Sequence, residues 1–308
     1  MTIRIKAYLA LITTAIIWGI SPPIIKYTLN FISPTDFLFW RFLLVSILIL
    51  PVFLKKIKVQ PFELCDLPQI LLVAFCSTSL TLGLLFFGLN KTSSVDAAVL
   101  AATVPIMIVL GGVVFLKEVI TRQEKIGLAL AFGGTLIAVL SPLLKSSGTF
   151  TTQNLLGNIL ILVSNISWAT YTLLGKNLAK KYSSFNLTAM AFFVGLITYI
   201  PLFLLSSSYR ITMNFLPNIQ AIPGILFMSL FASIIAYFTY AYGVSLIEAS
   251  EATLFTYLQP IFTIPLAVFW LGETVDPSFI MGAIFIVIGV FLTEYKKQSV
   301  KSEQRSSN

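Results

Sequence analysis

The chain has 308 residues, of which 57% are hydrophobic and only 10% are charged, and its net charge is +8. A soluble domain needs about a quarter of its residues charged to cover its surface. The composition therefore excludes an ordinary soluble protein and predicts one whose outer surface faces lipid. The positive charge is typical of the cytoplasmic loops of membrane proteins and does not indicate a nucleic-acid partner.

The apolar segments, taken in chain order, predict ten membrane-spanning helices separated by short polar breaks. About 20 apolar residues cross the hydrocarbon core of a bilayer as an α-helix, and segments of this length recur along the whole chain. Transmembrane β-strands would be about half as long and would alternate, so a barrel is set aside. The predicted spans are 7–28, 35–54, 68–88, 95–116, 123–141, 155–178, 185–207, 220–244, 250–271 and 277–295.

The second half of the chain repeats the first. One fixed shift superimposes matched Gly, Pro and acidic residues, and a slightly shorter shift superimposes Trp18 on Trp168 and Phe42 on Phe192. We therefore expect an all-α membrane protein built from two five-helix repeats, residues 1–144 and 145–298, followed by a cytoplasmic polar tail, residues 299–308. The pairs matched by the longer shift include Gly88 with Gly243, Asp96 with Glu251, Pro105 with Pro260, Glu118 with Glu273, Gly127 with Gly282 and Gly134 with Gly289.

An odd number of spans in each repeat predicts that the two copies are inverted in the membrane. If both termini are cytoplasmic, the exterior receives only Lys26, Lys91, Lys145 and Arg210, and most other Lys and Arg fall inside. This distribution obeys the positive-inside rule. It also explains why the turn "KEVITRQEK" is basic whereas its repeat partner "GETVDPS" is not.

Metal and cofactor chemistry is not expected from this sequence. It contains no His, and its two cysteines, Cys65 and Cys76, lack the spacing of metal ligands. Asp and Glu are scarce inside the predicted spans, whereas a membrane enzyme would need catalytic polar groups clustered at one depth. We therefore predict no catalytic residues, no metal and no cofactor.

An Arg early in the second span, in "FLFWRFLLVSILIL", accompanies a motif used twice: Pro, apolar residues, Leu-x-Glu, then apolar residues spaced by Gly. Over roughly residues 7–295 this pattern resembles the EamA-type members of the drug/metabolite transporter superfamily. The second copy has the usual "LGE" at 271–273, whereas the first reads Leu116-Lys117-Glu118. The resemblance implies export of amino acids or other metabolites across the cell inner (plasma) membrane, although some members import or exchange metabolites.

Trp18 and Trp168 are the first candidates for a substrate site. Each lies about a dozen residues into its span, which places it near the middle of the bilayer at a rise of 1.5 Å per residue. Trp normally prefers the membrane interfaces, so a matched pair at mid-depth favours a cavity wall over a lipid-facing or packing role.

Polar residues on neighbouring helical faces extend this candidate site. Such groups need partners inside a bilayer and should face the bundle interior, where each either contacts substrate or forms hydrogen bonds between helices. We expect Pro22-Pro23 to interrupt the first helix and free backbone carbonyls for the site. The residues selected near the two Trp are Ser21, Asn165, Tyr171 and Thr172.

The eighth and ninth spans supply the remaining candidates. Tyr237 and Tyr240 share a face in "IIAYFTYAYG", and Thr256 and Gln259 follow in "TLFTYLQPIFTIP". Gln259 precedes Pro260, so we expect it at a kink, where its amide can both donate and accept hydrogen bonds.

For Arg41 and Lys26 we expect snorkelling to the outer headgroups rather than an interior ion pair. Asp96 and Glu251 suit helix N-termini, with proton coupling as the alternative, and Glu118 and Glu273 are expected to organise their turns.

Inverted repeats suit alternating access, because two similar halves can rock around a site where they meet. We therefore expect a transporter, not an enzyme, that binds a small-molecule substrate in the lipid bilayer as a monomer or homodimer. An apolar, aromatic cavity fits neutral, zwitterionic or hydrophobic solutes better than polyanions. Efflux of an amino acid or related solute is the first hypothesis, and uptake or exchange of a metabolite such as a nucleotide derivative is the second. A membrane enzyme or a receptor-like scaffold is the third alternative, and acids clustered at one depth would favour the enzyme.

Overall fold

The computed structural model describes residues 3–116, 122–144, 152–206, 217–246, 255–275, 277, 280–289 and 292, and this part of the chain contains helices and turns but no strand. The helices of the first half are α1 (Ile3–Thr28), α2 (Pro34–Val59), α3 (Leu67–Leu89), α4 (Ser94–Ala101), α5 (Val104–Leu116) and α6 (Arg122–Leu144). Those of the second half are α7 (Thr152–Lys181), α8 (Ser184–Leu204), α9 (beginning at Ile222–Leu226 and ending with Ala236–Leu246), α10 (Gln259–Leu271) and α11 (Ile280–Gly289).

Within the described residues, six helices are long and apolar enough to cross a membrane: α1, α2, α3, α7, α8 and α9. The pair α4 and α5 would make a seventh span, bent by 40°. Large apolar side chains cover the outer faces of the helices, for example Ile47 (58% exposed), Ile197 (68%) and Phe269 (89%). An apolar exterior of this extent is typical of a surface covered by lipid. The predicted tail 299–308 lies outside the described residues.

Serine caps define where three of the helices begin. The Oγ atoms of Ser33, Ser93 and Ser183 accept hydrogen bonds from backbone N–H groups three residues later, at the starts of α2, α4 and α8. A cap of this kind contributes about 1 kcal/mol because it satisfies a donor that lacks an intrahelical partner. Short loops with a capping Ser therefore fix these turns, as the polar breaks in the sequence indicate.

The fourth predicted span, 95–116, is not one continuous helix. It breaks between α4 and α5, next to Pro105, which has no N–H to offer the preceding turn. The Leu100 carbonyl at the break accepts from the Thr103 hydroxyl at 2.7 Å and from the Asn165 side-chain amide at 2.7 Å. The ninth span has the same design, because a 3₁₀ turn, Phe255–Leu258, precedes α10 at Pro260.

Matched π-helical segments occur in α3 (Phe75–Leu80) and α9 (Phe227–Ile235). In or directly after each segment, a side-chain hydroxyl donates to the carbonyl five residues earlier: Thr81 to Cys76 at 2.6 Å and Ser233 to Met228 at 2.8 Å. Such widened turns often lie at functional sites because they re-aim side chains. Both segments face the region where the two halves meet.

Helices of one half pack mainly against helices of the other half. Helix α1 packs against α9 and α10, α7 packs against α3 and α5, and α2 packs against α8. The repeated glycines allow these approaches: a side chain at Gly88 would collide with Ile161, and one at the matched Gly243 would collide with Leu11. The contacts therefore repeat between the halves, which explains the matched glycines of the sequence.

Helices α6 and α11 cross at four matched glycines. A Cβ atom at Gly134 would lie 2.6 Å from the Gly282 carbonyl oxygen, and a Cβ atom at Gly289 would collide with the Gly127 carbonyl oxygen. Glycine is required here because the two backbones themselves are in contact. The core lies around α2, α3, α8 and α9, where Phe37 packs on Phe86 with centroids 5.0 Å apart.

Candidate functional site

The two equivalent tryptophans meet between the halves. The rings of Trp18 in α1 and Trp168 in α7 lie edge to face with centroids 6.3 Å apart. Tyr237 and Tyr240 of α9 each lie 5.3 Å from Trp18, and Tyr171 lies 5.0 Å from Trp168. We call these five residues the aromatic cluster. All five side chains are half-buried; Trp18 and Tyr237 pack against the hydrophobic core.

A hydrogen bond fixes the orientation of Trp18. Its indole N–H donates to the Ala232 carbonyl at 3.1 Å, within the π-helical segment of α9. A buried indole N–H needs such a partner, and this one ties α1 to α9 at the depth of the aromatic cluster. The sequence predicted Trp18 here but gave no sign of its acceptor.

Gln259 lies on the other side of Trp18. It is the first residue of α10, which has Pro260 in its first turn and follows directly on the 3₁₀ turn Phe255–Leu258. Gln259, Trp18, Tyr240 and Phe255 line a small, partly open pocket, together with Leu11, Thr14 and Ala15. For Thr256 only the backbone is described, and its side chain lies outside the described part of the chain.

The polar candidates beside the tryptophans have partners within the bundle. Asn165 donates to Leu100 and to the Thr103 hydroxyl at 3.2 Å, so its amide nitrogen bridges α7 to the α4–α5 break. Ser21 and Thr172 donate to carbonyls four residues earlier, those of Ile17 and Trp168. The structure therefore gives these three side chains interhelical or intrahelical bonds at the edge of the aromatic cluster.

The prediction that Pro22-Pro23 interrupts α1 was wrong. The helix runs without a break from Ile3 to Thr28. Pro23 has no N–H to donate to the Gly19 carbonyl, four residues earlier. The hydroxyl of Thr263 in α10 donates to that carbonyl instead. The freed carbonyl thus joins two helices, because Gly19 allows α10 to approach closely.

The expectation that Arg41 snorkels to the headgroups was also wrong. Its side chain is only 2% exposed, and its Nε–H donates to the Ser233 hydroxyl at 2.9 Å. The guanidinium lies over the Phe86 ring, 5.7 Å from the centroid. Lys26 is half-buried, and its ammonium donates to the Leu89 carbonyl at the end of α3 at 2.8 Å.

At the end of the bundle where α1 ends, Glu273 joins the two halves. Gly272 ends α10 in the left-handed conformation, with φ 67°, and this aims Glu273 at the start of α4. The carboxylate accepts from the N–H groups of Ser94 and Val95 at 2.9 and 3.0 Å. A helix N-terminus favours such an anion, so Glu273 does more than organise its own turn. Glu118 and Glu251 lie outside the described residues.

Asp96 occupies the first turn of α4, as expected for an acid at a helix N-terminus. Its backbone N–H donates to Ser93, which is the capping residue, and its carboxylate accepts from the Thr92 hydroxyl at 2.8 Å. These bonds agree with a role for Asp96 in starting the helix. The alternative role, in proton coupling, stays a prediction.

At the opposite end, where α2 ends, a polar cluster links the α2–α3 loop to the α7–α8 loop. Lys181 forms ion pairs with Glu63 and Asp66 at 2.6 and 2.7 Å, and the Tyr182 hydroxyl donates to Asp66 at 2.6 Å. These bonds hold the pKa of the Asp66 carboxyl below its usual range, the bond from Lys181 contributing most. Cys65 lies near both acids, but Lys181 already balances their charge. We call this the polar latch.

The comparison with known proteins agrees with this architecture. The model of the EamA-like transporter family matches the chain twice, over residues 5–140 and 155–295. An uncharacterized transporter of Archaeoglobus fulgidus is 30% identical over 296 residues, covering 95% of this chain and 98% of its own. The uncharacterized transporter YyaM of Bacillus subtilis is 26% identical and covers 93% of both chains.

A solved crystal structure shares the fold, with a TM-score of 0.64 at 14% identity over 93% of this chain and 96% of the other. The family match covers most of the sequence, and the helices are apolar on their outer faces. The chain is therefore a multi-pass membrane transporter that belongs to the EamA-like transporter family of the drug/metabolite transporter superfamily.

Proposed function

We propose that this transporter exports a small metabolite, an amino acid or related solute, across the plasma membrane by alternating access. The proposal depends on one observation: Trp18 and Trp168, equivalent residues of the two repeats, meet in the aromatic cluster. A site built from matched residues of both halves changes its exposure when one half rocks against the other.

The topology of the proposal has ten spans as two inverted repeats, with both termini cytoplasmic. Six long helices and the bent α4–α5 pair support seven of these spans. The other three are assigned to the apolar part of α6, Lys125–Ile137, and to the shorter helices α10 and α11. The Lys and Arg distribution supports the orientation. In this orientation Glu273 and Lys26 lie at the exterior end and the polar latch lies at the cytoplasmic end.

The substrate site of the proposal combines the aromatic cluster with Gln259, and with Ser21, Asn165, Thr172 and Thr256 at its edge. Half-buried aromatic rings offer an apolar wall, and the Gln259 amide offers a donor and an acceptor. A small pocket lies beside Trp18, Tyr240 and Gln259. A solute with an apolar body and one polar head suits this combination.

The test is counterflow and efflux from proteoliposomes with a panel of radiolabelled amino acids and other metabolites, with and without a pH gradient. We expect saturable transport of a small subset, faster than in empty liposomes. A pH gradient that accelerates transport would identify coupling to protons, and Asp96→Asn would then remove that acceleration. Transport of no member of a broad panel, by protein shown to be folded, would contradict the proposal.

A further inference from the structure

Arg41 is a buried cation with an unused donor. Its side chain is 2% exposed, and its Nε–H is taken by Ser233, but the Nη1 atom is buried and has no hydrogen-bond partner among the described residues. The described residues place no carboxylate at ion-pair distance from it. An uncompensated guanidinium within a membrane protein is costly and usually marks a functional site.

The second repeat shows that the fold does not require this cation. The shift that superimposes Phe42 on Phe192 places Arg41 on Ala191. The longer shift, which superimposes Gly88 on Gly243, places Thr78 of α3 on Ser233 of α9. The Thr78 hydroxyl donates to the Ala191 carbonyl at 2.6 Å, so the equivalent helix pair packs with an alanine. Arg41 is therefore an asymmetric addition to a symmetric framework.

Asp36 does not neutralise Arg41. It lies five residues earlier on α2, about 7.5 Å along the axis at the helical rise, in the first turn next to the Ser33 cap. Its Oδ1 atom is also buried without a partner among the described residues. Asp36 Oδ1 and Arg41 Nη1 therefore do not form an ion pair with each other.

Arg41 adjoins the aromatic cluster through α9. Ser233, which accepts from Arg41, follows Ala232, which accepts from Trp18. Tyr237 lies one turn further along the same helix and contacts Trp18. The free donor and the aromatic rings therefore belong to one region of the bundle interior.

We propose that Arg41 Nη1 binds the carboxylate of the transported solute while the aromatic cluster packs against its apolar part. This inference rests on the proposed function and narrows its substrate class to small carboxylates, including apolar amino acids. A guanidinium forms strong, charge-assisted hydrogen bonds with a carboxylate. An amide of the same shape carries no negative charge and leaves the guanidinium uncompensated, so it binds more weakly.

Matched acid–amide pairs test the inference by binding, which does not require transport. The purified protein in detergent is titrated with L-leucine and L-leucinamide and with L-lactate and lactamide, and the fluorescence of its tryptophans is recorded. None of these probes absorbs light at the wavelengths that excite tryptophan. We expect at least one acid to bind at least tenfold more tightly than its amide.

Two variants and a control separate binding from folding. Arg41→Ala introduces the residue found at the equivalent position of the second repeat, and this variant should not prefer acids to amides. Arg41→Lys keeps the positive charge and should retain part of the preference for acids. Ser46→Ala, on the same helix, should bind as the wild type does. Monodisperse elution and an unchanged melting temperature establish that each variant is folded.

Equal binding of acids and amides by the wild type, or of acids by Arg41→Ala and wild type, would overturn the inference. Absence of saturable binding by every acid would overturn it as well. Transport in proteoliposomes is measured separately: transport of amides or amines with no effect of Arg41→Ala would leave the proposed function standing and remove only this inference. Binding of acids without transport would remove the proposed function instead.

Discussion

The indole rings of Trp18 and Trp168 meet edge to face, 6.3 Å apart, although 150 residues separate them, the difference between their positions in the chain. The residues around them repeat the same burial: Ser164, Asn165 and Ser167 are buried before Trp168 as Thr14, Ala15 and Ile17 are buried before Trp18. Two copies of one helix thus present one aromatic side chain each to a shared space.

Replacing either side of this space should impair transport. Trp168→Ala removes the ring that contacts Trp18, Tyr171 and Tyr237, and Gln259→Ala removes the polar head of the neighbouring pocket. We expect at least a tenfold lower rate in each, measured by counterflow in proteoliposomes, with normal membrane insertion. Trp168→Phe should recover part of the rate.

Trp270→Ala is the matched control, because this Trp is 45% exposed on the outer face of α10. It should transport at the wild-type rate. Wild-type rates in both Trp168→Ala and Gln259→Ala would contradict the assignment of the site.

Removing the Glu273 carboxylate should loosen the end of the bundle where α1 ends. Glu273→Ala leaves the N–H groups of Ser94 and Val95 without their acceptor, which costs about 1–3 kcal/mol. Glu273→Gln keeps one acceptor oxygen and should lose less. The melting temperature in detergent should fall in the order wild type, Gln, Ala. The exposed neighbour Thr274→Ala should melt with the wild type, and an unchanged Glu273→Ala would refute the bridging role.

Two adjacent glycines of α6 offer a sharp comparison. A Cβ atom at Gly134 would lie within 2.8 Å of three atoms of α11, whereas one at Gly133 would meet nothing within 4 Å. Gly134→Ala should destabilise the protein by about 1–3 kcal/mol through overpacking. Gly133→Ala should be neutral or slightly stabilising, since alanine favours helices. Equal melting temperatures for the two variants would contradict the crossing of α6 and α11.

The polar latch should respond to acid. The folded pKa of Asp66 is lowered by Lys181 and Tyr182, so its stabilising contribution is present above the unfolded pKa, about 3.9, and is lost as pH falls through the folded pKa. Asp66→Asn should therefore melt below the wild type at neutral pH and approach it under acid conditions. Lys180→Ala, at an exposed neighbour, should keep the wild-type pH profile. A constant difference between Asp66→Asn and wild type at all pH values would refute this.

Much of the fold could be predicted from the sequence. The starts of α2, α4 and α8 follow from capping serines, and the predicted spans 7–28, 35–54 and 68–88 agree with α1, α2 and α3. The break at Pro105 was missed, because a single proline is compatible with either a kink or a break. Hydrogen bonds to Leu100 from another helix decide between them here.

The site was less accessible to sequence reasoning. The tryptophan pair could be found because its two members are equivalent, but Ser233 and Ala232 lie in an apolar run that carries no signal of a π-helical segment. Arg41 was placed at the headgroups because a long cation near a helix end can reach water. The bundle around α2 closes that route and buries the guanidinium.

The sequence by itself determined that the chain is helical, lipid-covered and duplicated, because hydrophobic length and repeated Gly, Pro and Trp are properties of a linear pattern. Only the tertiary structure decided which helices pair, that Glu273 caps a helix of the other half, and that Arg41 faces inward. Those facts depend on contacts between residues far apart in the chain, which helical periodicity alone does not specify.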